Sequence, residues 1–313
     1  MASSVIVVGS ANQDYVMSID ALPAPGETRL AESFQKFPGG KGANQAVACA
    51  RLGVPVSLVG AVGDDADGAL IIRDLRSEGI DTSEIEITTS ERTGMAIVSV
   101  LPGGENTVTV VPGANFTLAP ARITRAVQRL AADESIVVVQ AEIPVECIEA
   151  TVLAASAVGA RPVLNLAPFV ELDAETIGRA DPLVVNEVEA AFLTGYVIDG
   201  PALAQRAAED IARRARSAVI TLGAAGASWA SAEASGVVPA LPVANVVDTT
   251  GAGDAFIGAV AAMFTEGSSL ENAVRVGVEV GALAVTRVGA QASYPLREEV
   301  RQLAATTPRA SAG

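Results

Sequence analysis

The residues best suited to chemistry lie in one short stretch, DTTGAGDAFIGA, at residues 248–259. Two glycines and the acid Asp254 stand directly before an apolar run that predicts a helix beginning at Ala255. An acid at a helix start is a common cap, because its side chain accepts hydrogen bonds from free backbone N–H groups. The same N–H groups also bind phosphate, in which case the acid would act on the reacting group. Both interpretations fit this stretch alone.

If the stretch binds phosphate, its turn forms an anion pocket. Gly251, Ala252 and Gly253 can direct successive N–H groups toward one point, where negative charge builds up during transfer. Asp254 would then accept a proton from an attacking hydroxyl. Aspartate is a weak base, with a usual pKa of about 3.9. The weakness is tolerable in a loose transition state, since the proton leaves late and positioning contributes most of the rate.

A second glycine-rich stretch, FPGGKGANQA at residues 37–46, also precedes a predicted helix. Its glycines let the backbone approach a ligand closely, and Asn44 falls in the first helical turn. The alternative is a tight turn with Lys41 in solvent. Because the spacing GxxxxGK[ST] is missing, Lys41 is not predicted to be a Walker lysine.

Polar residues also leave the first predicted strand, in GSANQDY at residues 9–15. Asn12 and Asp14 follow its carboxyl end, the edge where open α/β sheets bind ligands. Together they offer hydrogen-bond donors and acceptors to sugar hydroxyls. Both are also ordinary turn residues, so a turn cap is the alternative.

Two later stretches follow predicted strands in the same way. In NEVEA, Asn186 and Glu189 would share one face of a starting helix. That spacing suits a Mg²⁺ site acting through waters, or else a helix cap. The stretch TLGAAGA at residues 221–227 would either hold nucleotide phosphates on its N–H groups or form a plain hairpin turn.

The composition limits which chemistry is open. The 313-residue chain contains no histidine, which removes Ser-His-Asp catalysis, Cys-His catalysis and histidine metal sites. Cys49 and Cys147 are too few for a disulfide framework and are expected to be buried thiols. A net charge of −15 argues against a nucleic-acid or membrane partner. Bound ATP would therefore depend on local devices such as helix N-termini, a lysine and Mg²⁺.

The N-terminal sequence MASSVIVVGS lacks the charged region and long apolar run of a signal peptide. No apolar stretch reaches the ~20 residues that span a membrane. A cytoplasmic location is therefore expected.

Short β-branched runs alternate with helical patterns along the chain. The runs predict buried strands at 5–9, 56–63, 136–140, 162–166, 182–186 and 218–223. The helical patterns lie at 42–52, 68–77, 120–130, 145–158, 201–215, 255–264 and 270–287. This alternation predicts an α/β fold, a mostly parallel sheet with helices on both faces, in a single domain over residues 1–313.

Two stretches interrupt this alternation and predict a separate small sheet. Residues 28–36 and 95–111 have strand patterns, and the second turns around Gly103 and Gly104. Antiparallel pieces inserted into a parallel fold often act as lids.

Taken together and in this order, these stretches resemble the ribokinase family of carbohydrate kinases. GGKGANQA followed by DTTGAGDAF is similar to the family's two signature regions, and GSANQD, PGET, QAEIP, NEVEA, ITLG and TRVGAQ fall where the family has counterparts. The resemblance covers residues 5–300. It implies a doubly wound α/β fold with a small β-sheet lid, built by strands from about 12–36 and 95–111. The lid would close over a sugar and pair with that of a second subunit, giving a homodimer.

The resemblance also implies roles for individual residues. The positions matched to sugar binding are Asn12, Asp14, Gly40, Lys41, Gly42, Ala43, Asn44 and Glu142. The positions matched to catalysis are Asp254 as base and Gly251, Ala252 and Gly253 as anion hole. The positions matched to ATP binding are Asn186, Thr221, Leu222, Gly223, Ala224, Ala225, Gly226, Gly253 and Val278. The positions matched to cations are Glu189 for Mg²⁺, through water, and Asp248, Thr250, Ala284, Arg287, Gly289 and Ser293 for K⁺.

Two positions depart from the family pattern. Tyr15 stands where family members can have histidine, and it would tune the sugar pocket. Val278 stands where His or Asn is common, and it would still cover an adenine face by apolar contact.

The activity implied is that of an ATP-dependent sugar kinase acting on the 5-hydroxyl of D-ribose. One changed contact redirects such a pocket, so deoxyribose, another sugar or a nucleoside stays open. A sugar-binding sensor without catalysis belongs to another class, and the intact Asp254 and GAG turn argue against it. A nicotinamide dehydrogenase is disfavoured because GSANQD lacks GxGxxG.

Overall fold

The computed structural model describes residues 4–103 and 106–306 of the chain. Gly104, expected in the lid turn, lies outside these residues. The strands are β1 (Val5–Val8), β2 (Asn12–Ser18), β3 (Ser33–Gly39), β4 (Val56–Gly63), β5 (Asp81–Thr88), β6 (Gly94–Val100), β7 (Asn106–Val111), β8 (Ile136–Gln140), β9 (Arg161–Asn165), β10 (Leu183–Asn186), β11 (Ser217–Thr221), β12 (Ala227–Ser231) and β13 (Ser235–Val238).

The helices alternate with these strands through most of the chain. They are α1 (Lys41–Arg51), α2 (Ala66–Ser77), α3 (Pro120–Leu130), α4 (Val145–Ala157), α5 (Ala174–Arg179), α6 (Glu187–Thr194), α7 (Pro201–Ala212), α8 (Ala252–Thr265), α9 (Leu270–Ala284) and α10 (Arg297–Thr306). Within the described ranges, none of them has the length and apolar character needed to cross a bilayer.

The large sheet has nine strands within the described residues, in the order β13-β12-β11-β10-β9-β8-β1-β4-β5. From β5 to β11 every neighbouring pair is parallel, while β12 and β13 are added antiparallel at one edge. The predicted mostly parallel sheet is confirmed.

Side chains of the central strand β1 show why both faces of this sheet carry helices. Val5 and Val7 join a core cluster with residues of α1, α8 and α9. Ile6 and Val8 join a second cluster with residues of α3, α4 and α7. Successive side chains of a strand point to opposite faces, so an all-apolar strand requires cover on both sides. The doubly wound arrangement follows from this requirement.

The small sheet has the order β3-β2-β6-β7, and three residues separate the end of β1 from the start of β2. Its strand β7 is exposed along its whole length. The lid strands expected from about 12–36 are β2 at Asn12–Ser18 and β3 at Ser33–Gly39, whereas the strand pattern at residues 28–36 begins five residues before β3 does. A register of seven paired residues fixes β3 against β2, which the local pattern around residue 28 does not show.

Three strands of the large sheet, namely β5, β12 and β13, have no predicted counterpart. The sequence of β5, DTSEIEIT, alternates charged and apolar residues, and β12, ASWAS, is built of small ones. Both lack the β-branched runs used for the prediction. Cys49 and Cys147 are both buried free thiols, as expected.

Candidate active site

The predicted site residues gather where the parallel strands end. Gly9 follows β1, Glu142 follows the neighbouring strand β8, and Asn186 ends β10 beside Thr221 at the end of β11. The carboxyl ends of parallel strands share one edge, and ligands bind there in open α/β sheets. Sequence positions more than 200 residues apart therefore face the same space.

The helix that carries Asp254 begins three residues earlier than predicted, at Ala252. Gly251 caps it in a left-handed conformation, with φ of 75° and no side-chain hydrogen bond. Asp254 is therefore the third residue of α8 and not its cap, so the interpretation of this acid as a helix cap is wrong. A Cβ at Gly251 would lie 2.6 Å from the Tyr294 hydroxyl, so the turn requires glycine.

Two amides of the first α8 turn are free. The Ala252 N–H donates to the Thr249 carbonyl at 3.2 Å. Within the described residues, the N–H groups of Gly253 and Asp254 have no acceptor. Free amides at a helix N-terminus attract an anion, and the helix dipole strengthens the attraction. Of the predicted anion-hole residues, Gly253 is thus available and Ala252 is already bonded.

The Asp254 carboxylate is buried and held by two amide side chains. Its Oδ2 accepts from Asn44 Nδ2 at 3.0 Å, and its Oδ1 accepts from Gln45 Nε2 at 2.9 Å. Asn44 and Gln45 lie in the first turns of α1, which packs against α8. The predicted sugar residue Asn44 and the predicted base are thus in direct contact.

Asp14 lies near two other acids. Burial, with the charges of Glu142 and Asp254 added, raises the pKa of Asp14 to about 7. Its Oδ1 is buried and has no hydrogen-bond partner among the described residues. A Cβ at Gly39 would lie 2.2 Å from this carboxyl group, so the glycine makes room for it. Such a carboxylate calls for hydroxyl or N–H donors from a ligand.

Glu142 and Lys41 complete the polar side of this pocket. Glu142 Oε2 accepts from Ser10 Oγ at 2.6 Å and from the Lys41 amide at 3.1 Å. The charge of Asp254 raises the pKa of Lys41, and Glu142 and Glu189 raise it further against the effect of burial. The ammonium group therefore stays charged and lies within electrostatic reach of both ends of the site.

The remaining predicted sugar residues mainly shape the backbone. Asn12 is buried, and its Oδ1 accepts from Asn115 Nδ2 at 2.7 Å. Gly40 caps α1 with φ of 86°, and a Cβ there would lie 2.7 Å from the Asn12 amide. A Cβ at Gly42 would lie 2.6 Å from the Gly9 carbonyl carbon, so this glycine lets α1 approach β1. The amide of Ala43 donates to the Ser10 carbonyl at 2.9 Å and is not free for a ligand.

A cavity of about 620 Å³ opens on the other side of the α8 N-terminus. Six of the nine residues predicted to bind ATP line it, namely Thr221, Gly223, Ala224, Gly226, Gly253 and Val278. Asn186, Leu222 and Ala225 do not. Gly226 has φ of 100°, and a Cβ there would lie 2.0 Å from the Val238 carbonyl oxygen, so the hairpin β11–β12 requires glycine. The turn is therefore a hairpin turn that also lines the cavity.

The cavity wall includes residues that the sequence did not point to. They are Ala240, Leu241, Pro242, Val243, Val246, Thr249, Phe256, Gly277, Gly281, Ala282 and Val285. Residues 240–246 form a loop without a regular sequence pattern. Only its content of proline and valine could have indicated an apolar wall. Along the described lining, Thr221 and Thr249 carry the polar side chains, so the wall suits the flat apolar face of a base.

Asn186 and Glu189 form a reciprocal capping box at the start of α6. Asn186 Oδ1 accepts from the Glu189 amide at 2.9 Å, and Glu189 Oε2 accepts from the Asn186 amide at 2.9 Å. Burial raises the pKa of Glu189 despite the opposing Asn186 amide and Lys41 charge. The described residues contain no cluster of three or more potential ligands. A Mg²⁺ ion held by phosphates, waters and one carboxylate still fits this site.

The residues predicted to hold K⁺ are partly brought together. Asp248 accepts from the Thr250 amide at 2.9 Å and the Gly289 amide at 2.8 Å. Although burial opposes it, these hydrogen bonds lower the pKa of Asp248. The Ser293 hydroxyl donates to the Ala290 carbonyl at 2.7 Å. The Arg287 side chain forms an ion pair with Glu299 instead. Ala284 is the last residue of α9, and the carbonyl of the next residue, Val285, accepts from the amides of residues 247 and 248.

Tyr15 points away from the pocket, contrary to the expectation that it tunes the sugar site. Its hydroxyl donates to Asp67 at the start of α2, and Lys36 contacts both. Strand alternation sends Asp14 and Tyr15 to opposite faces of the lid. Tyr15 therefore ties the lid to the body of the protein.

Known proteins share both the sequence and the fold. The pfkB family carbohydrate kinase profile matches residues 2–297. The chain is 38% identical over 300 residues to the ribokinase of Bacillus subtilis (strain 168), covering 96% of this chain and 99% of the relative. It is 35% identical over 300 residues to a deoxyribokinase of Salmonella typhi, covering 95% of this chain and 97% of the relative. Arabidopsis thaliana ribokinase, solved with ribose and ATP, superposes with a TM-score of 0.87 at 31% identity, over 97% of this chain and 99% of that one. The chain is therefore a member of the pfkB family of carbohydrate kinases.

Proposed function

We propose that this kinase transfers the γ-phosphoryl group of ATP to the 5-hydroxyl of D-ribose, giving ribose 5-phosphate and ADP. The observation that carries the proposal is the position of the α8 N-terminus. Ala252 and Gly253 line the large cavity, while the carboxylate of Asp254 faces Asn44 and the acid Asp14 on the other side. A base between a nucleotide cavity and a pocket rich in acceptors suits in-line phosphoryl transfer. A ribokinase is among its relatives, and a similar solved structure holds ribose and ATP.

On the sugar side, Asp14 and Glu142 act as hydroxyl acceptors and Asn44 and Lys41 as donors. A pentose carries several hydroxyl groups and no charge, so it satisfies buried acceptors without adding repulsion. The unpartnered Asp14 oxygen is the clearest of these acceptors. Asn12, Gly40, Gly42 and Ala43 shape the floor of the pocket.

In the transfer step, Asp254 takes the proton of the attacking hydroxyl as the new O–P bond forms, while the bond from the γ-phosphorus to the bridging oxygen breaks and ADP leaves. Its two amide donors keep one orientation of the carboxylate. The free N–H groups at residues 253 and 254, with Gly251 shaping the turn, stabilise charge on the transferring group. The Lys41 ammonium adds a positive charge between the sugar and nucleotide sides.

On the nucleotide side, the glycine turn at residues 223–226 and Val278 cover the base and ribose of ATP. Mg²⁺ would supply neutralisation of the phosphate charge, with Glu189 as its candidate contact through water. K⁺ would bind at the segment joined by Asp248, Thr250 and Gly289, and it would shape the anion hole without touching substrate.

The lid is proposed to pair with the lid of a second copy, giving a homodimer. The face that carries Asp14 continues into Val16, Val98, Val108 and Val110 by cross-strand register. Val108 is 54% exposed and Val110 is 44% exposed. Apolar strips on a small sheet are typical of interfaces. A single domain over residues 1–313 and a cytoplasmic location belong to the same proposal and rest on the sequence pattern.

The proposal is tested by measuring ADP release from ATP with a panel of sugars and nucleosides. The panel contains ribose, 2-deoxyribose, fructose and adenosine, each with and without K⁺. Ribose is expected to give the highest kcat/KM, with turnover raised by K⁺. The deoxyribokinase relative makes 2-deoxyribose the second candidate, and a higher kcat/KM for it would replace ribose while keeping the mechanism. Tight ribose binding without ADP release would contradict the kinase proposal itself.

A further inference from the structure

A chain of buried amide side chains ends on the Asp254 carboxylate from two directions. On one arm, Gln140 Nε2 donates to Gln45 Oε1 at 2.7 Å, and Gln45 Nε2 donates to Asp254 Oδ1 at 2.9 Å. On the other arm, Gln291 Nε2 donates to Asn44 Oδ1 at 3.0 Å, and Asn44 Nδ2 donates to Asp254 Oδ2 at 3.0 Å. Each carboxylate oxygen therefore receives one amide donor.

The hydrogen-bonding capacity of these groups fixes the orientation of every amide in the Gln140 arm. A carboxylate accepts and does not donate, so the NH₂ end of Gln45 faces Asp254. Its second N–H meets the Asn165 oxygen at 3.1 Å, and Asn165 is itself oriented by donating to the Val184 carbonyl. The Gln45 oxygen is left toward Gln140, which can satisfy it only with its own NH₂ end.

The same logic fixes the second arm. The NH₂ end of Asn44 faces Asp254, so its oxygen faces Gln291, which must donate. The backbone carbonyl of Gln291 is held by Arg51 at 2.6 Å, and Arg51 forms a two-bond ion pair with Glu78. This arm is therefore anchored to the body of the protein outside the pocket.

Retention of these groups carries a cost to the fold. Gln140 and Gln45 are fully buried, and the Gln140 oxygen has no partner among the described residues. A Cβ at Gly9 would lie 1.9 Å from that oxygen, so the adjoining backbone is also shaped around it. An unpaired buried amide oxygen destabilises a core, whereas an apolar side chain of the same size would not.

We propose that Gln140 and Gln291 are positioning residues for the phosphoryl transfer. They act through Gln45 and Asn44 to keep two N–H donors on Asp254, and neither touches the base. The carboxylate then has one rotamer, with its remaining lone pairs directed at the sugar hydroxyl. This inference rests on the proposed role of Asp254 as base.

The test replaces a hydrogen-bond donor by an acceptor at Gln140, which reaches Asp254 only through Gln45. In Gln140→Glu the shape is kept, but an oxygen replaces the nitrogen that donated to the Gln45 oxygen. The hydrogen bond that holds the Gln45 oxygen becomes a repulsive contact, so Gln45 shifts or rotates and its N–H donor no longer stays in place on Asp254. With ribose and ATP, kcat is expected to fall about 10- to 100-fold, while KM for ribose stays within about threefold, because only transition-state geometry is lost.

Asn165→Asp is the matched control for the added negative charge. It places a carboxylate beside the same glutamine and gives up the Asn165 bond to the Val184 carbonyl, but it keeps the acceptor that the Gln45 N–H already meets, so Gln45 is not displaced. Its kcat is expected to be at least about tenfold higher than that of Gln140→Glu. Gln291→Glu repeats the test on the second arm, at a less enclosed position, in case Gln140→Glu does not fold. Thermal unfolding reports folding of each variant.

A folded Gln140→Glu or Gln291→Glu enzyme with wild-type kcat would overturn the inference. An equal loss in Asn165→Asp would also overturn it, because charge and not orientation would then explain the effect. Wild-type kcat in Asp254→Asn would instead refute the proposed base, which is a separate result.

Discussion

Two aspartates of the site have different surroundings and different proposed tasks. Asp254 is held by two amide donors, which suits a carboxylate that must keep one orientation. Asp14 has a buried oxygen without a partner and two acids nearby, and its pKa is raised to about 7. The surroundings of Asp254 suit a base, and those of Asp14 suit an acceptor for a hydroxyl group of the sugar.

The raised pKa of Asp14 predicts a stability effect that needs no substrate. The folded chain keeps this proton up to about pH 7, whereas the unfolded chain loses it near the usual value of 3.8. Stability is therefore lost as pH rises through this window. The free energy of unfolding of Asp14→Asn should equal that of wild type near pH 4 and exceed it by about 1–2 kcal/mol near pH 8. This difference is smaller than ~1.4 kcal/mol per unit of pKa shift would give, because the side chain is partly exposed.

Thermal unfolding at both pH values checks this, with Glu233→Gln as an exposed-acid control for the change in net charge. An Asp14→Asn variant with the same stability difference from wild type at both pH values would contradict the assigned cause.

Sequence alone could find the acids, the glycines and Asn44 of the site, but not the amide side chains behind them. Asp254, Lys41 and Asn44 stand in recognisable glycine-rich stretches, so their types and order were informative. Gln45, Gln140, Asn165 and Gln291 matter through contacts across 95 to 247 positions. A glutamine in a sequence has no fixed partner, and only the fold pairs its donor with a carboxylate.

At the scale of elements, the site depends on how α1 and α8 begin. Both helices start at a left-handed glycine without a side-chain cap. In α1 the first amides are used by Glu142 and Ser10, which fastens the helix to the sugar pocket. In α8 the amides of residues 253 and 254 stay free, and Gly253 lines the cavity. The predicted strands are confirmed because buried β-branched runs are distinctive. The predicted start of α8 was wrong because aspartate is a common helix cap.

The two glycines of the GAG turn should respond differently to alanine. Gly251→Ala introduces a left-handed alanine and a methyl 2.6 Å from the Tyr294 hydroxyl, so the unfolding temperature should fall. The cost is about 1–3 kcal/mol. Gly253→Ala has no atom within 4 Å of its methyl and lies inside a helix, so stability should not fall.

Kinetics separates the roles of the same pair. The Gly253→Ala methyl enters the cavity at the proposed phosphate position, so KM for ATP should rise or kcat should fall despite normal stability. A stable Gly253→Ala enzyme with unchanged kcat and KM for ATP would show that this amide does not face the phosphates.

At the scale of the whole molecule, the lid combines three structural features. It carries Asp14 on its inner face, it is fastened to α2 by Tyr15 and Lys36, and it extends an apolar strip beyond the body. The small sheet was expected as an addition to the core, and a separate four-stranded sheet is confirmed. Its register could not be predicted, because strand pairing over long separations depends on the body that positions it.

The apolar strip predicts a dimer that one charge should dissociate. Wild type is expected to sediment as a dimer, and Val108→Asp as a folded monomer, because a carboxylate in an apolar interface is not compensated. Val197→Asp is the control, since Val197 is 76% exposed on a loop outside the lid. A monomeric wild type, or a dimeric Val108→Asp variant, would contradict the proposed interface.

The account centres on Asp254 as the base for phosphoryl transfer to ribose. The most direct measurement is kcat for ADP formation by wild type and Asp254→Asn, with ribose and ATP binding measured separately by calorimetry. Loss of the base should lower kcat by about 10²–10⁴-fold while both ligands still bind. An Asp254→Asn enzyme that binds both ligands and turns over at the wild-type rate would contradict the account.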